Sequence, residues 1–385
     1  MRPCGTPSVR LRRRLPAALA ALAAGVAGVA AATPAQLSIY FIDVEGGQST
    51  LIVTPGRHSL LIDTGWAGDG SGFHPGDPRA ARDANRIVAA ARDAGVSRID
   101  YLLITHFHPD HDGGVSELAQ LMPIGVFIDH GAPDPAAGSN VPETAAAFAA
   151  YERVRATGTA HLMPRPGARL PIAGIETTVV SSAGATLAQP LPGAGRINAA
   201  CPAQAPAPRD PYENPRSTGV LVRYGAFRFL DVGDLSGAPL YALVCPRDLI
   251  GAVDVYLVAH HGGPDVADPA TFAAFKPRVA VMNNGVSKGG ARVTYEALHQ
   301  VPGLEDVWQL QRSAAAGDAN FPDAYVANLD ASRAYWIKLT ARRDGSFRMW
   351  NPRTGAWHDY GARDLKARSR GSLAPVPDRA PANPG

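Results

Sequence analysis

Three histidines and an aspartate fall within six residues in Thr105-His106-Phe107-His108-Pro109-Asp110-His111-Asp112-Gly113-Gly114, directly after an apolar run over 99–105. Such a run reads as a buried strand, and a turn at its end can bring alternate side chains to one point. Imidazole and carboxylate in that arrangement suit a zinc-type cation. The chain holds only eleven histidines in 385 residues, so three in one window are not a chance polar loop.

The rest of the chain places this loop in a layered α/β pattern. Strands are expected over 37–44, 49–53 and 59–63, then a glycine-rich loop over 66–78 and a helix over 80–94 stopped by Gly95. A short helix over 117–122, a strand over 125–129 and an alanine-rich helix over 144–157 follow. The Pro/Ala/Gly-rich insertion over 181–215 is long for a compact domain, hence either a functional loop or a poorly ordered one. Strands return at 219–224, 227–231 and 253–259, and αβ pairs over 272–282 and 294–311. The pattern 335–340, Asp344-Gly345, 347–350 is a β-hairpin, and 361–385 is polar, Pro/Ala-rich and expected to be disordered. Strand groups alternating with helices point to an α/β domain with its helices outside.

Charge first suggests nucleic acid, with a formal net of +3 and a pI near 8.8. The excess sits at the ends. Residues 1–35 carry five arginines and no acid, and 361–385 carry a net +3, which leaves 36–360 at −5. A mildly acidic body gives no general nucleic-acid signal. Arginines at 10–14 before an Ala/Leu/Val/Gly run over 15–32 have the layout of a secretory signal peptide, with small residues Ala30 and Ala32 and cleavage expected near 32–35. An uncleaved N-terminal anchor is the alternative. Either way the rest is expected to be periplasmic or extracellular, with no membrane segment after the signal. Of the three cysteines, Cys201 and Cys245 then lie in an oxidising compartment, where a disulfide between them is open.

On the residues quoted above, the sequence resembles the metallo-β-lactamase superfamily, whose central signature H-x-H-x-D-H is matched in full by 106–111. Leu61-Ile62-Asp63-Thr64-Gly65, Asp231-Val232-Gly233-Asp234-Leu235 and Val258-Ala259-His260-His261-Gly262-Gly263 resemble its further motifs in order. The resemblance implies an αββα sandwich, here with a C-terminal β-hairpin extension. The divisions would be a signal peptide over 1–35, a hydrolase domain over 36–330, the hairpin over 331–360 and a tail over 361–385. Asp43-Val44-Glu45-Gly46-Gly47-Gln48-Ser49, Glu213-Asn214-Pro215-Arg216-Ser217-Thr218 and the doubled His260-His261 are similar to the hydrolase domain of the DNA-uptake competence protein ComEC and its free-standing exported relatives.

The resemblance implies His106, His108, Asp110, His111, Asp234 and His261 as metal ligands and Asp110 and His260 as catalytic. Asp63, Asn214, Ser217, Arg216 and Lys288 would support them or touch substrate. Many superfamily members carry a further histidine about twenty residues before the bridging aspartate; here Asn214 and Ser217 stand there, as in ComEC-like members. The first site would then lack a strong fourth protein ligand. Strand alternation predicts that only one of His260 and His261 reaches the metal, and the adjoining glycine turn favours His261. One or two zinc ions are expected, with manganese or iron as alternatives. The expected activity is hydrolysis of a phosphodiester-type bond by activated water. A lactone, β-lactam or other ester is the first alternative substrate, and a non-catalytic metal-binding protein is the second alternative.

Overall fold

The computed structural model describes Met1, residues 36–158 and residues 160–363, so the expected signal peptide and the tail beyond 363 lie outside the described residues. Two nine-stranded sheets organise 36–363. The first runs, in spatial order, Ala356–Tyr360, Phe347–Asn351, Ile337–Ala341, Leu37–Phe41, Thr50–Val53, Ser59–Ile62, Ile99–Leu103, Ile124–Ile128 and Ala160–Leu162. It is antiparallel up to Ser59–Ile62 and parallel beyond. The second runs Val326–Asn328, Asp306–Gln311, Val279–Met282, Val255–Leu257, Phe227–Asp231, Gly219–Tyr224, Glu176–Ser182 and Arg169–Leu170, with Ala185–Thr186 also on Glu176–Ser182.

Alternation along the strands explains the layering. Leu37, Ile39 and Phe41 pack between the sheets against Val220, Phe229 and Val279, whereas Tyr40 and Ile42 pack on the outer face. The Phe41 and Phe229 rings meet edge-on at 5.7 Å across the sheet interface. Because both faces of the first sheet are covered, its strands are apolar on both sides. Helix Arg82–Asp93 buries Ala84, Ile87, Val88 and Ala91, an i, i+3, i+4, i+7 stripe, against that outer face. Helices Gly237–Val244, Pro269–Phe275 and Arg292–His299 cover the second sheet in the same way. The result is a mixed α/β sandwich with helices on both outer faces.

The C-terminal hairpin is present and extends the first sheet beside Leu37–Phe41, with a third strand, Ala356–Tyr360, that was not expected. Residues 361–363, expected to belong to the tail, are ordered against the fold. Gly361 accepts from Arg278, and the Arg363 guanidinium lies 2.8 Å from an Asp254 carboxylate oxygen, so 361–363 are tied to the second sheet. The insertion over 181–215 is anchored as well. A Cys201–Cys245 disulfide fastens it, and the Asn198 side chain donates to the carbonyls of Val244 and Ala270. Among the described residues no helix is long and apolar enough to cross a membrane.

A buried polar network backs the first sheet. Asp43 accepts from Gln311, Asn328 and the Glu45 amide, with Arg86 3.9 Å away. Burial pushes its pKa up to about 7, against the pull of Arg86 and the hydrogen bonds. Between about 4 and about 7 the folded chain therefore holds a proton that the unfolded chain has released. This group's contribution to stability is full below pH 4, falls as pH rises, and levels off above 7. Three units at 1.36 kcal/mol amount to about 4 kcal/mol. Asp43→Asn lacks that titration, so the stability gap between wild type and variant is expected to move in the variant's favour by that amount between pH 4 and pH 8. Urea unfolding across that range checks it, and a gap independent of pH would show that Arg86 accommodates the charge.

Candidate metal centre

The site forms where strands from the two sheets end side by side. From the first sheet come Asp63, one residue past Ser59–Ile62, and the 106–111 cluster, past Ile99–Leu103. From the second come Asp234, past Phe227–Asp231, and His260 and His261, past Val255–Leu257. His106, His111, Asp234 and His261 are at most 2% exposed, and His108 and Asp110 at most 6%.

Asp63 explains how the cluster is set. Its carboxylate lies 2.7 Å from His111 Nδ1 and also accepts from the Thr105 amide and hydroxyl, each at 2.7 Å. A proton shared on Nδ1 leaves the Nε2 lone pair of His111 facing inward. Asp110, His111, Asp234 and His261 converge there, with one ligand atom of each within 4.8 Å of the others. His111 Nε2 lies 3.2 Å from His261 Nε2, 3.4 Å from Asp110 Oδ2 and 3.3 Å from Asp234 Oδ2. His261 Nε2 lies 3.2 Å from each of the same two oxygens. Ligands at zinc distances on a tetrahedron stand about 3.3 Å apart, so these residues fit a divalent cation. His106 Nε2 and His108 Nδ1 pair beside them at 3.0 Å, and Asp234 Oδ2 is 3.9 Å from His106 Nε2.

The charges suit a cation too. Burial opposes ionisation of Asp234, yet His111, His261 and His260 hold its carboxyl well below the usual range. Burial likewise opposes the charge on Asp110, and the Lys288 ammonium and His111 hold that carboxyl well below it. Burial, with His111 and His108 nearby, pushes His106 well below an ordinary imidazole, and burial lowers His108. His111 differs: burial opposes its charge, yet Asp234, Asp110 and Asp63 hold it well above an ordinary imidazole. Ionised carboxylates and neutral imidazoles are the ligand forms, so a cation at His111 would displace a proton.

Of the two late histidines, His261 converges with Asp110, His111 and Asp234, and the backbone that places it is not the strand alternation expected. His260 and His261 both have left-handed backbone, with φ of 46° and 51°, so the pleat that alternates side chains has already ended. His260 Nε2 lies 3.8 Å from Asp234 Oδ2 while its Nδ1 lies 2.9 Å from Asp265. Gly289, φ 71°, lets the Lys288 loop lie directly on His261, where any Cβ would collide. Lys288 contacts the Asp110 carboxylate and the Gly46 carbonyl.

These groups floor a cleft of about 660 Å³ whose lining includes Trp66, Phe73, His108, Asp110, Arg209, Asn214, Asp234, His260 and Lys288. Of Asn214, Arg216 and Ser217, expected at the site, only Asn214 lines it. Arg216 instead donates to the Ala132 carbonyl, and Ser217 is fully buried with its hydroxyl unpartnered. The turn Asn214–Arg216 is one 3₁₀ turn, so its neighbouring side chains diverge.

Four residues at the site went unread in the sequence: Asp210, Glu213, Asp265 and His130. Asp210 Oδ2 lies 3.4 Å from His108 Nε2. Glu213, fully buried, accepts from the Phe107 amide at 3.2 Å and the Asp134 amide at 2.6 Å, and lies 3.1 Å from His130 Nε2. The only sequence signal was the place of Asp210 and Glu213 beside Asn214; His130 and Asp265 stand far from it in the chain. Glu213→Ala strands those buried donors and is expected to cost about 3 kcal/mol in chemical denaturation. A loss under 1 kcal/mol would mean that water replaces the carboxylate.

Residues 42–166 match the family model of the metallo-beta-lactamase superfamily. Among curated proteins, the chain is 35% identical over 77 residues to an atrochrysone carboxyl ACP thioesterase of Aspergillus fumigatus, covering 20% of this chain and 15% of that protein. It is 36% identical over 89 residues to thioesterase pkgB of Emericella nidulans, covering 23% and 22%. The chain thus spans about a fifth of the length of these curated relatives. Among solved structures, CmlA, a diiron β-hydroxylase from Streptomyces venezuelae, is 15% identical with a TM-score of 0.34 over 65% of this chain and 45% of its own. The subclass B3 metallo-beta-lactamase MEM-A1 from a soil metagenome library is 14% identical, with a TM-score of 0.34 over 63% and 88%. Through the stretch that carries Asp63, His106, His108, Asp110 and His111, the chain is similar to the metallo-beta-lactamase superfamily.

Proposed function

We propose that this chain is an exported, divalent-metal-dependent hydrolase of the metallo-β-lactamase superfamily. The observation that carries the proposal is the set of five nitrogen and oxygen separations of 3.2–3.4 Å among Asp110, His111, Asp234 and His261 at the floor of an open cleft. A divalent cation there supplies Lewis-acid chemistry and makes water a nucleophile at neutral pH. The protein's own groups do the rest. Asp63 fixes the His111 ring, Glu213 pins the backbone of the cluster, and Lys288 sets a positive charge beside the reacting centre, where negative charge develops. The disulfide supports export, since such bonds persist in oxidising compartments.

For the substrate, a phosphodiester is the first reading. It is supported by Asn214 at the position where ComEC-like members carry it, and by Lys288 and Arg209 as cations along the cleft. A carboxylic ester, thioester or lactone is the second, favoured by the thioesterase names of the relatives. A metal-binding protein without turnover is the remaining class. Purified protein is assayed for metal and offered bis-p-nitrophenyl phosphate, single-stranded DNA, an acyl thioester, a lactone and nitrocefin. Metal-dependent turnover of the phosphodiesters supports the first reading. Turnover confined to the carbonyl substrates replaces it with the second, and bound metal with no turnover of any leaves the third.

A further inference from the structure

We infer that Gln48 is the positioning residue that holds the two halves of the metal centre in register, tying the Asp110 turn of the first sheet to the Asp231–Asp234 turn of the second. The inference rests on the proposed centre and deepens it by naming what fixes its geometry.

Gln48 lies in the loop between strands Leu37–Phe41 and Thr50–Val53, is 1% exposed, and sends each of its polar groups to a different segment. Its backbone amide donates to the Asp110 carbonyl and its own carbonyl accepts from the Gly65 amide, both at 3.0 Å. Those two bonds stay among the strand ends of the first sheet. The side chain crosses to the second. Its Nε2 lies 3.0 and 3.2 Å from the two oxygens of Asp231, 183 positions on. Its Oε1 accepts from the Asn283 side chain at 3.2 Å, 235 positions on. Gly47 permits the approach, since a Cβ there would stand 2.4 Å from the Asp110 carbonyl oxygen.

The bonds continue toward the ligands. Asp231 Oδ1 also accepts from the Gly233 amide at 3.0 Å, and the Gly233 carbonyl accepts from the His260 amide at 3.1 Å. Through Asp231, Gln48 therefore grips the turn that presents Asp234 and the turn that opens on His261. Through Asn283 it holds the start of the loop that carries Lys288. Apolar packing between sheets is non-directional and permits small slips, whereas hydrogen bonds fix distance and angle. A binding constellation must be held to about 0.5 Å. Asp110 and His111 stand on one sheet, Asp234 and His261 on the other, and Gln48 spans the seam beside them.

The test is run on the full chain. Zinc affinity is measured by chelator competition, and the visible spectrum of the cobalt(II)-loaded protein reports ligand geometry. Gln48→Met keeps the backbone bonds and nearly the same length, so it removes only the bridge to Asp231 and Asn283. Zinc is expected to bind about 10–100-fold more weakly in this variant, with an altered cobalt spectrum. Asn351→Ala removes another fully buried amide, one that bonds Ala324, Val326 and Arg353 instead. It should lose stability while keeping the wild-type affinity and spectrum. If Gln48→Met fails to fold, Gln48→Asn decides: it keeps the amide but shortens the bridge, and the same two changes are expected. Wild-type affinity and spectrum in the Gln48 variant, or equal losses in Asn351→Ala, overturn the inference and leave the proposed hydrolase standing. A wild type that takes up neither ion overturns both.

Discussion

Asp234→Asn is expected to lower hydrolysis about a thousandfold and to strip the centre of tightly held cation. Its carboxylate faces four imidazoles: Oδ2 lies 3.2–3.3 Å from His261 and His111 and 3.8–3.9 Å from His260 and His106. The amide has nearly the same shape, so packing is retained and the charge alone is lost. A neutral amide is a poor ligand, and the nearby imidazoles lose the carboxylate they face. Turnover and metal content of the purified variant check the result together. A variant that keeps its cation and stays within tenfold of the wild-type rate would exclude Asp234 from the centre.

The second large effect concerns the insertion. Cys201 and Cys245 close a loop with a separation of 44 residues, and that loop contains Asp210, Glu213, Asn214, Asp231 and Asp234. On the loop-closure account, opening it frees about 4 kcal/mol of chain entropy in the unfolded state. Replacing both cysteines by serine is therefore expected to lower unfolding stability by about 4 kcal/mol. Cation affinity should fall with it, because Asp210 and Glu213 reach His108 and Phe107 from the stapled segment. Denaturant unfolding and chelator competition measure the two effects. A stability loss below 1 kcal/mol would mean that Asn198 and the bridge between Ile197 and Arg247 hold the insertion unaided.

What the sequence revealed, and what it hid, follows from chain distance. The 106–111 cluster was legible because its residues share one turn, and Asp63 because it ends a strand with a recognisable pattern. Strands Gly219–Tyr224 and Phe227–Asp231 match their expected bounds residue for residue, since a tight turn at Gly225 separates two apolar runs. Glu213 was not legible as a clamp because its partners Phe107 and His130 lie 106 and 83 positions away. Strand Ala356–Tyr360 escaped notice because only Tyr360 in it is buried, so an edge strand leaves no periodic signal. For the late histidines the choice of His261 drew on a rule for extended backbone, whereas their φ is positive, and it is the left-handed turn after Leu257 that carries His261 to Asp110 and Asp234.

That the candidate ligands come from both sheets has a consequence for the life of the fold. Asp110 and His111 belong to one layer of the sandwich, Asp234 and His261 to the other. An ion gripping all four acts as a tie rod between the layers, and whatever parts them must first release it. At a free concentration a hundred times the dissociation constant, such binding adds about 2.7 kcal/mol to the folded state. Cation supply and resistance to unfolding then become one quantity, set by the medium in which the protein works.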